Sequence, residues 1–515
     1  IDVTSGTGTT ITLNDSVSAT NGPAIDADGA AATITVGTAG SIQGRVDLTG
    51  NNDLITNNGL FAAAGNSDFG AGTDRITNNG TFKAAGAVAL GGLETFVNAG
   101  LVTMADNTAD DTLTIPGNFT AQAGSNLTLD VAAGTAGTPA DRLVVGGAVS
   151  GNTQINLNLL GGPGVLNPTG TLLVDAGTSA AGAFTLGGTT SSGFVTYSLQ
   201  QQGADTLLVA LPTAAAIEPL LLPELGLSFW YQSADSWSEN AALRRNDLLA
   251  QGRDFGVWAQ AYYGDEERGD ERDVDVFGTA TPTDLRYDVK RTGIQAGADF
   301  AAGPNMSVGF TAGYQDADSD FASGTGVNLN GWNIGAYLLH QGGGGFYTEW
   351  LAKVDFFDGD IANGTLFTGS DFDGKSYGLE GEVGYRMTSG GANIDVNGAL
   401  AYVSTDLDQF AASNGTFEFG DVESLRGRLG LRVSGNSEGL APYADVKLLH
   451  EFLDGNGAEF VSGGFRLPLD ERSDGTSVRG EVGVAGTSTG FGGFLSVWGQ
   501  LGDVQGYGLR IGARF

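Results

Sequence analysis

The sequence predicts an all-β chain with one helix: a right-handed parallel β-helix, then an α-helix, then an antiparallel β-barrel of about twelve strands that spans a membrane and holds the helix in its lumen. Three observations carry this reading. The phrase DLITNNGLFAAAG, Asp53 to Gly65, returns as DRITNNGTFKAAG, Asp74 to Gly86, an offset of 21 residues. The stretch SWSENAALRRNDLLAQG carries helix start and stop signals. Finally, the second half of the chain is built from alternating apolar and polar stretches, down to its last ten residues, GYGLRIGARF.

Composition limits the possibilities first. Lys and Arg number 24 against 59 Asp and Glu, a formal charge of −35. A phosphate backbone needs a basic footprint, so no nucleic-acid partner is expected. Hydrophobic residues make up 41% of the chain, with 27 Phe, 13 Tyr and 6 Trp, enough to bury a large core. With no cysteine there is no disulfide, thiolate metal site or Cys nucleophile. No apolar run of about 18 residues occurs, so a spanning structure has to be a barrel. The chain starts at Ile1 without a signal peptide and is read as the C-terminal part of a longer precursor.

Residues 1–110 are assigned to β-helix repeats. A weaker third copy of the phrase, ETFVNAGLV, begins at Glu94, and a period near twenty marks a solenoid whose rungs stack on one another. Asn57, Asn58 and Gly59 turn where Asn78, Asn79 and Gly80 turn one rung later, and stacked asparagines are expected to bond rung to rung. Asp53 and Asp74 share one place in the repeat and are read as solvated turn residues rather than as a calcium site, since the Gly-Gly-x-Gly-x-Asp repeat is missing. In residues 111–212 the strict repeat is lost while alternating strands continue, and this stretch is read as the cap a solenoid end requires.

Residues 213–252 are assigned to a linker with the helix. Pro219 and Pro223 interrupt a Leu-rich run, Ser236 and Glu239 stand in capping-box spacing, and Gly252 closes the segment. About fifteen residues reach roughly 22 Å, most of a hydrocarbon layer. Arg244 and Arg245 exclude lipid contact, so the helix crosses inside a pore.

Residues 253–515 are assigned to the barrel. GIQAGADF sets Ile294, Ala296, Ala298 and Phe300 against Gln295, Gly297 and Asp299. YGLEGEVGYRM sets Leu379, Val383 and Tyr385 against Glu380, Glu382 and Arg386, and SLRGRLGLRV sets Leu425, Leu429, Leu431 and Val433 against Arg426, Arg428 and Arg432. In the last strand Tyr507, Leu509, Ile511, Ala513 and Phe515 oppose Arg510, Arg514 and glycines. On this last pattern alone a soluble sandwich leads. Long, aromatic, evenly spaced strands with glycine recurring on the polar face favour a closed sheet around water, with the apolar set facing lipid. The acidic stretches GDEERGDERDVD and STDLDQFAASNGTFEFGD are assigned to outer loops.

A β-helix, a cap, a helix and a twelve-stranded barrel ending in Phe resemble the monomeric autotransporters of type Va secretion. ALRRNDLLAQGRDFGVWAQAYYG, Ala242 to Gly264, resembles that family's junction of helix and first strand, and APYADVKLLHEF, Ala441 to Phe452, resembles its ninth strand. The stretch from about Leu113 to Leu186 resembles the autochaperone end of a pertactin-like passenger. The resemblance implies an outer-membrane barrel, among lipid and lipopolysaccharide, that exports its own passenger to the cell surface. It also implies a monomer delivered by periplasmic chaperones to the barrel-assembly machinery, which reads Tyr507, Leu509, Ile511 and Phe515. The helix then stays behind as plug and tether, lined by Ser236, Glu239, Asn240, Arg244 and Arg245. Some family members cut themselves between two adjacent asparagines, but this helix holds Asn240 and Asn246 without such a pair. Glu380 or Glu382 is expected to pair with Arg244 or Arg245.

No catalytic site, cofactor or metal is expected. His340 and His450 lack a metal-ligand constellation. GSDFDGKS, Gly369 to Ser376, has phosphate-loop letters but two aspartates and a following strand. GNSEG around Ser437 and GTSTG around Ser488 have nucleophile-elbow spacing without strand-to-helix context. Three functions stay open: a secretion and display device whose passenger is an adhesin or stalk, the carrier of an enzyme lying upstream of Ile1, and a plugged pore.

Overall fold

The computed structural model describes the chain apart from residues 5, 49, 189, 250–253, 365, 436–438, 473–474 and 489–490, and at 246–249, 368, 471 and 487–488 it describes the backbone alone. The chain forms two compact units, Ile1–Thr213 with Ser462–Phe465, and Ala214–Val461 with Arg466–Phe515.

The first unit is a β-solenoid of about five turns. Along one face Thr9–Leu13, Ala32–Val36, Leu54–Asn57, Arg75–Asn78, Thr95–Asn98 and Asn118–Ala121 pair in parallel, each with the next. The 21-residue offset is the pairing register: Ile55 lies on Ile76, Asn57 on Asn78 and Phe61 on Phe82. Alternation then fixes what is inside. Phe61, Phe82, Phe96 and Phe119 are fully buried and stack along the axis, with ring centroids 5.0, 5.3 and 5.7 Å apart in succession.

The asparagines bond rung to rung. Asn57 Nδ2 donates to Asn78 Oδ1 and Asn78 Nδ2 to Asn98 Oδ1, both at 2.8 Å, and the ladder runs on through the hydroxyls of Ser125 and Thr153. A second, outer pair links Asn79 to Asn58 at 2.9 Å. Asp53 and Asp74 are not solvated turn residues. Both are buried, because each carboxylate accepts a backbone N–H of the preceding rung: Ala32 N–H reaches Asp53 Oδ1 at 2.6 Å, and Asp53 N–H reaches Asp74 Oδ1 at 2.7 Å.

Parallel stacking runs on past residue 110, as Asn126–Val131 pairs with Thr153–Leu159 and that strand with Phe184–Gly187. It turns antiparallel where Asn167–Ser179 meets Asp205–Pro212, which in turn pairs with Val195–Gln202. This ribbon covers an edge that would otherwise template further strands.

In the second unit twelve strands close into an antiparallel barrel. They are β1 (Phe255–Arg268), β2 (Tyr287–Gly303), β3 (Met306–Phe321), β4 (Gly326–Gln341), β5 (Phe346–Asn363), β6 (Phe367–Ser389), β7 (Ala392–Leu407), β8 (Val422–Gly435), β9 (Gly439–Glu451), β10 (Thr476–Ser488), β11 (Phe491–Gly502) and β12 (Gln505–Arg514). The seam joins β12 to β1, with Ala513 opposite Ala259 and Tyr507 opposite Asp265. Ile294, Phe310 and Leu429 are each more than 60% exposed on the outer wall, while Asp299, Glu380 and Arg428 point inward and are buried. No helix among the described residues is long and apolar enough to cross a membrane alone.

Glycine recurs on the inner face for a steric reason. Tyr262 lies directly across from Gly293, and Trp258 from Gly297. A Cβ at Gly293 would come within 2.2 Å of the Tyr262 ring, and one at Gly297 within 2.5 Å of the Trp258 indole. The bare backbone is the bed on which each inward aromatic lies.

The acidic outer segments are not plain loops. Asp265 to Arg268 extend β1, and Glu271–Val276 pairs with Thr279–Asp284 as a hairpin. Phe410–Ala412 and Gly415–Phe419 join Gly455–Ser462 and Phe465–Glu471 in a four-stranded sheet. Phe410 and Phe417 stack there with centroids 5.1 Å apart, so apolar contact folds what acidic composition left as loop.

Candidate functional site in the barrel lumen

One helix, α1 (Leu222–Leu249), occupies the barrel, preceded by a 3-10 turn over Glu218–Leu221. It is 28 residues long, about 42 Å at ~1.5 Å per residue, roughly twice the expected length. Neither proline stops it. Pro219 and Pro223 fall in opening turns, where a missing N–H leaves nothing unpaired. Ser236 is therefore not a cap: it sits mid-helix and donates its hydroxyl to the Gln232 carbonyl at 2.9 Å. Glu239, the other half of the supposed capping box, turns to the barrel wall. Gly252 lies outside the described residues.

From Leu222 to Arg245 every helix side chain except Ser238 is buried. The upper part is held mainly by aromatic and hydroxyl contacts. Trp230 Nε1 donates to the Lys353 carbonyl at 3.1 Å, Tyr231 shares a 2.6 Å bond with Ser424, and Gly226 lets the helix approach Phe357 and Thr405 closely.

Lower down the helix is held by charge. Asp235 accepts Arg426 and Arg479 at 2.9 Å each and Arg428 at 3.4 Å, while the Arg426 guanidinium also lies 3.5 Å over the Tyr231 ring. Both oxygens of Glu239 accept Arg432 at 2.8 Å. Asn240 bonds Gln260, and Arg245 pairs with Glu349 while stacking over Tyr347. Arg244 pairs with Asp299 at 2.8 Å. Asp299 also takes Arg514 of the closing strand at 2.6 Å and the Tyr337 hydroxyl at 2.9 Å. These ionic contacts are buried, where desolvated charges are retained only when paired.

Among the described residues Arg244 and Arg245 form their ion pairs with Asp299 and Glu349 rather than with Glu380 or Glu382 as expected. The latter two lie around the wall and hold Arg428, at 2.8 and 2.7 Å, which presents that guanidinium to Asp235. Arg386 pairs with Asp395 at 2.7 Å on the wall. Sequence reasoning did not single out Asp235, Glu266, Arg291, Lys353, Asp355, Arg479 or Glu481, and it set Arg510 and Arg514 on the polar face of the last strand without assigning them to the lumen; all are buried. For those on strands the signal was available in the alternation: a charge at the same parity as Asp299 or Arg428 enters the lumen.

Two cavities beside the helix measure about 40 Å³, by Tyr231, Arg426 and Arg479, and about 20 Å³, by Glu239, Arg245 and Arg432. They have room for a few waters and not for a peptide. Among the described residues no group of three His, Cys, Asp or Glu could hold a metal ion. His450 is exposed near the end of β9, with Nδ1 at 2.8 Å from the Thr476 hydroxyl. GSDFDGKS runs straight through β6. Ser437 and the side chain of Ser488 lie outside the described residues.

A closed antiparallel barrel with a lipid-facing apolar wall and a charge-clamped helix inside defines an outer-membrane translocator. Residues 257–500 match the family described as the autotransporter beta-domain, and residues 92–199 match Autochaperone Domain Type 1. The barrel is an autotransporter beta-domain and the end of the solenoid an autochaperone domain, with the barrel in the outer membrane and the passenger at the cell surface.

Among similar proteins, the "Adhesin BmaC autotransporter" of Brucella suis biovar 1 is 24% identical over 438 residues, which cover 76% of this chain and 13% of that one. "Uncharacterized protein YdeU" of Escherichia coli K12 is 25% identical, covering 54% of this chain and 66% of that one. The chain thus spans about an eighth of the first relative and about two thirds of the second. The translocator domain of autotransporter NalP from Neisseria meningitidis aligns with a TM-score of 0.41 at 15% identity, covering 55% of this chain and 97% of that one. The transport unit of AIDA-I from Escherichia coli gives 0.40 at 16%, covering 55% and 97%.

Proposed function

We propose that the chain is the translocator and surface stalk of an adhesin, with the β-helical passenger held outside the cell by α1. The observation that carries this is the clamp on the helix. Asp235, Glu239, Arg244 and Arg245 each meet an opposite charge on a different part of the wall, which suits an element that enters a hydrated pore and then stays. The adhesive role rests on the printed name of the Brucella relative. Residues Tyr507, Leu509, Ile511 and Phe515 face lipid on the closing strand and serve as the signal for the barrel-assembly machinery, to which periplasmic chaperones deliver the chain; lipopolysaccharide then surrounds the wall. No rung needs ATP outside, since each one that docks buries apolar surface and blocks return.

The test is external proteolysis of intact cells making this chain behind a periplasmic signal peptide, with and without Phe515. Loss of the solenoid with a protected barrel is the expected result, together with dependence on Phe515. A solenoid that resists protease until the outer membrane is broken would overturn display and leave a plugged pore.

A further inference from the structure

The solenoid buries carboxylates that face other carboxylates. Asp141 is fully buried among them. Its Oδ1 accepts Asp111 N–H at 3.0 Å and its Oδ2 accepts Asp130 N–H at 2.7 Å, so one side chain ties the start of Thr112–Ile115 to Asn126–Val131, two strands that do not pair with each other. Asp111 in turn accepts Gly86 N–H at 2.6 Å, and Asp130 accepts the N–H groups of Asp106 and Asn107 at 2.7 Å each, plus the amide of Asn158. Asp53, Asp74 and Glu94 repeat the device at another corner, where Asp74 N–H reaches Glu94 at 2.6 Å. Asp111, Asp130 and Asp141 are all at most 2% exposed.

The charged groups that face Asp141 are Asp111 from the preceding rung and Asp130 from Asn126–Val131. Beyond them lie Asp106 and Asp110, which act on Asp111. Two cations are near in sequence or space: Arg142, the next residue, has its side chain on the exposed outer face, and Lys83 acts on Asp106. Buried anions stacked on buried anions are costly unless a cation or a proton joins them.

We propose that the passenger takes up a proton as its C-terminal rungs fold, at the Asp141 carboxylate, so that this part of the solenoid is tightest in mildly acid surroundings and loosens as pH rises. Burial, followed by the charges of Asp111 and Asp130, pushes the Asp141 carboxyl up to about 7, while the two backbone N–H groups pull the other way. Asp111 and Asp74 are raised too, burial first. The folded state therefore binds the proton more tightly than the unfolded chain. Stability from this group is complete below the ordinary Asp range near pH 4, is lost as pH climbs toward about 7, and is flat above that.

Amide hydrogen exchange of the full chain in detergent tests this, read as protection relative to the intrinsic rate at each pH. Amides of 126–131 and 153–159 should lose protection about ten-fold or more between pH 5 and pH 8. Asp141→Asn should flatten that profile, whereas Asp15→Asn, at an exposed turn, should leave it as it is. Protection in the unsubstituted chain that does not fall between those pH values overturns the proposal, whether or not Asp141→Asn folds. An equally steep profile in Asp141→Asn overturns it as well.

Discussion

The lumen and the solenoid both bury charge, and they do so in opposite ways. In the lumen Asp235 meets Arg426, Arg428 and Arg479, and Asp299 meets Arg244 and Arg514, so each anion is balanced by cations from separate elements. In the solenoid Asp141 meets Asp111 and Asp130, and its carboxylate receives their backbone N–H groups, just as Asp53 and Asp74 each receive an N–H from the preceding rung. The difference follows from what each wall must tolerate. A pore lined with opposite charges is content in water while it is open and grips the helix once it arrives. A solenoid corner is buried from the moment its rung docks, and its carboxylates act as register pegs, because a shifted rung would leave both the acid and the N–H unpaired.

The comparison breaks most sharply at Asp235. Asp235→Asn leaves Arg426, Arg428 and Arg479 converging on a neutral amide, and stranding buried charge costs about 3–5 kcal/mol. A lower temperature for the loss of the compact form on SDS gels is expected, with the solenoid's own transition unmoved. Replacing a whole pair, Glu239→Leu with Arg432→Met, should cost much less than Glu239→Gln alone, since no charge is left over. Equal losses would mean that the lumen is held by packing rather than by ion pairs.

On the solenoid side the sharpest substitution is Asn78→Ala. It removes the acceptor for Asn57 and the donor to Asn98 in a buried ladder, which costs about 1–3 kcal/mol for each group left unpaired. Protease should then enter residues 54–103 faster in the folded chain, with the barrel untouched. An unchanged cutting rate would make the ladder decorative and leave the Phe61 to Phe119 stack as the main support.

How much of this was legible depended on period. A repeat of 21 residues and a side-chain period of two gave the rungs, the Asn ladder and the direction of Asp299, Glu380 and Arg428. These are properties of one strand beside its neighbour. The helix start was misread because Ser236 and Glu239 satisfy a local rule, while the real start depends on Pro219 and Pro223 falling in first turns inside a barrel. The partners of Arg244 and Arg245 were likewise hidden, since strand register around a closed wall, not sequence, brings Asp299 and Glu349 to them. Asp53 and Asp74 read as solvated because Asp in a turn usually is, and only the stacked rung shows their corner to be closed.

A smaller effect sharpens the role of glycine. Gly293→Ala forces a methyl group against Tyr262, whose hydroxyl also bonds Gln315 at 3.1 Å, and overpacking of this kind costs about 1–3 kcal/mol. Tyr262→Phe combined with Gly293→Ala should recover little, since the ring and not the hydroxyl is the obstacle; recovery would place the constraint in the hydrogen bond instead.

The smallest effect belongs to charge that is not buried. Lys375 on β6 and Asp406 on β7 lie 2.8 Å apart, as close as Arg244 and Asp299, yet their side chains are 52% and 40% exposed. Water and salt already solvate both ions, and the side chains lose freedom to meet. Lys375→Gln should leave the gel-shift temperature where it was and be insensitive to added salt, while Arg244→Gln lowers it clearly. If the two substitutions gave the same loss, distance alone would set the worth of an ion pair in this barrel, and the distinction between a gripping lumen and an inert rim would fall.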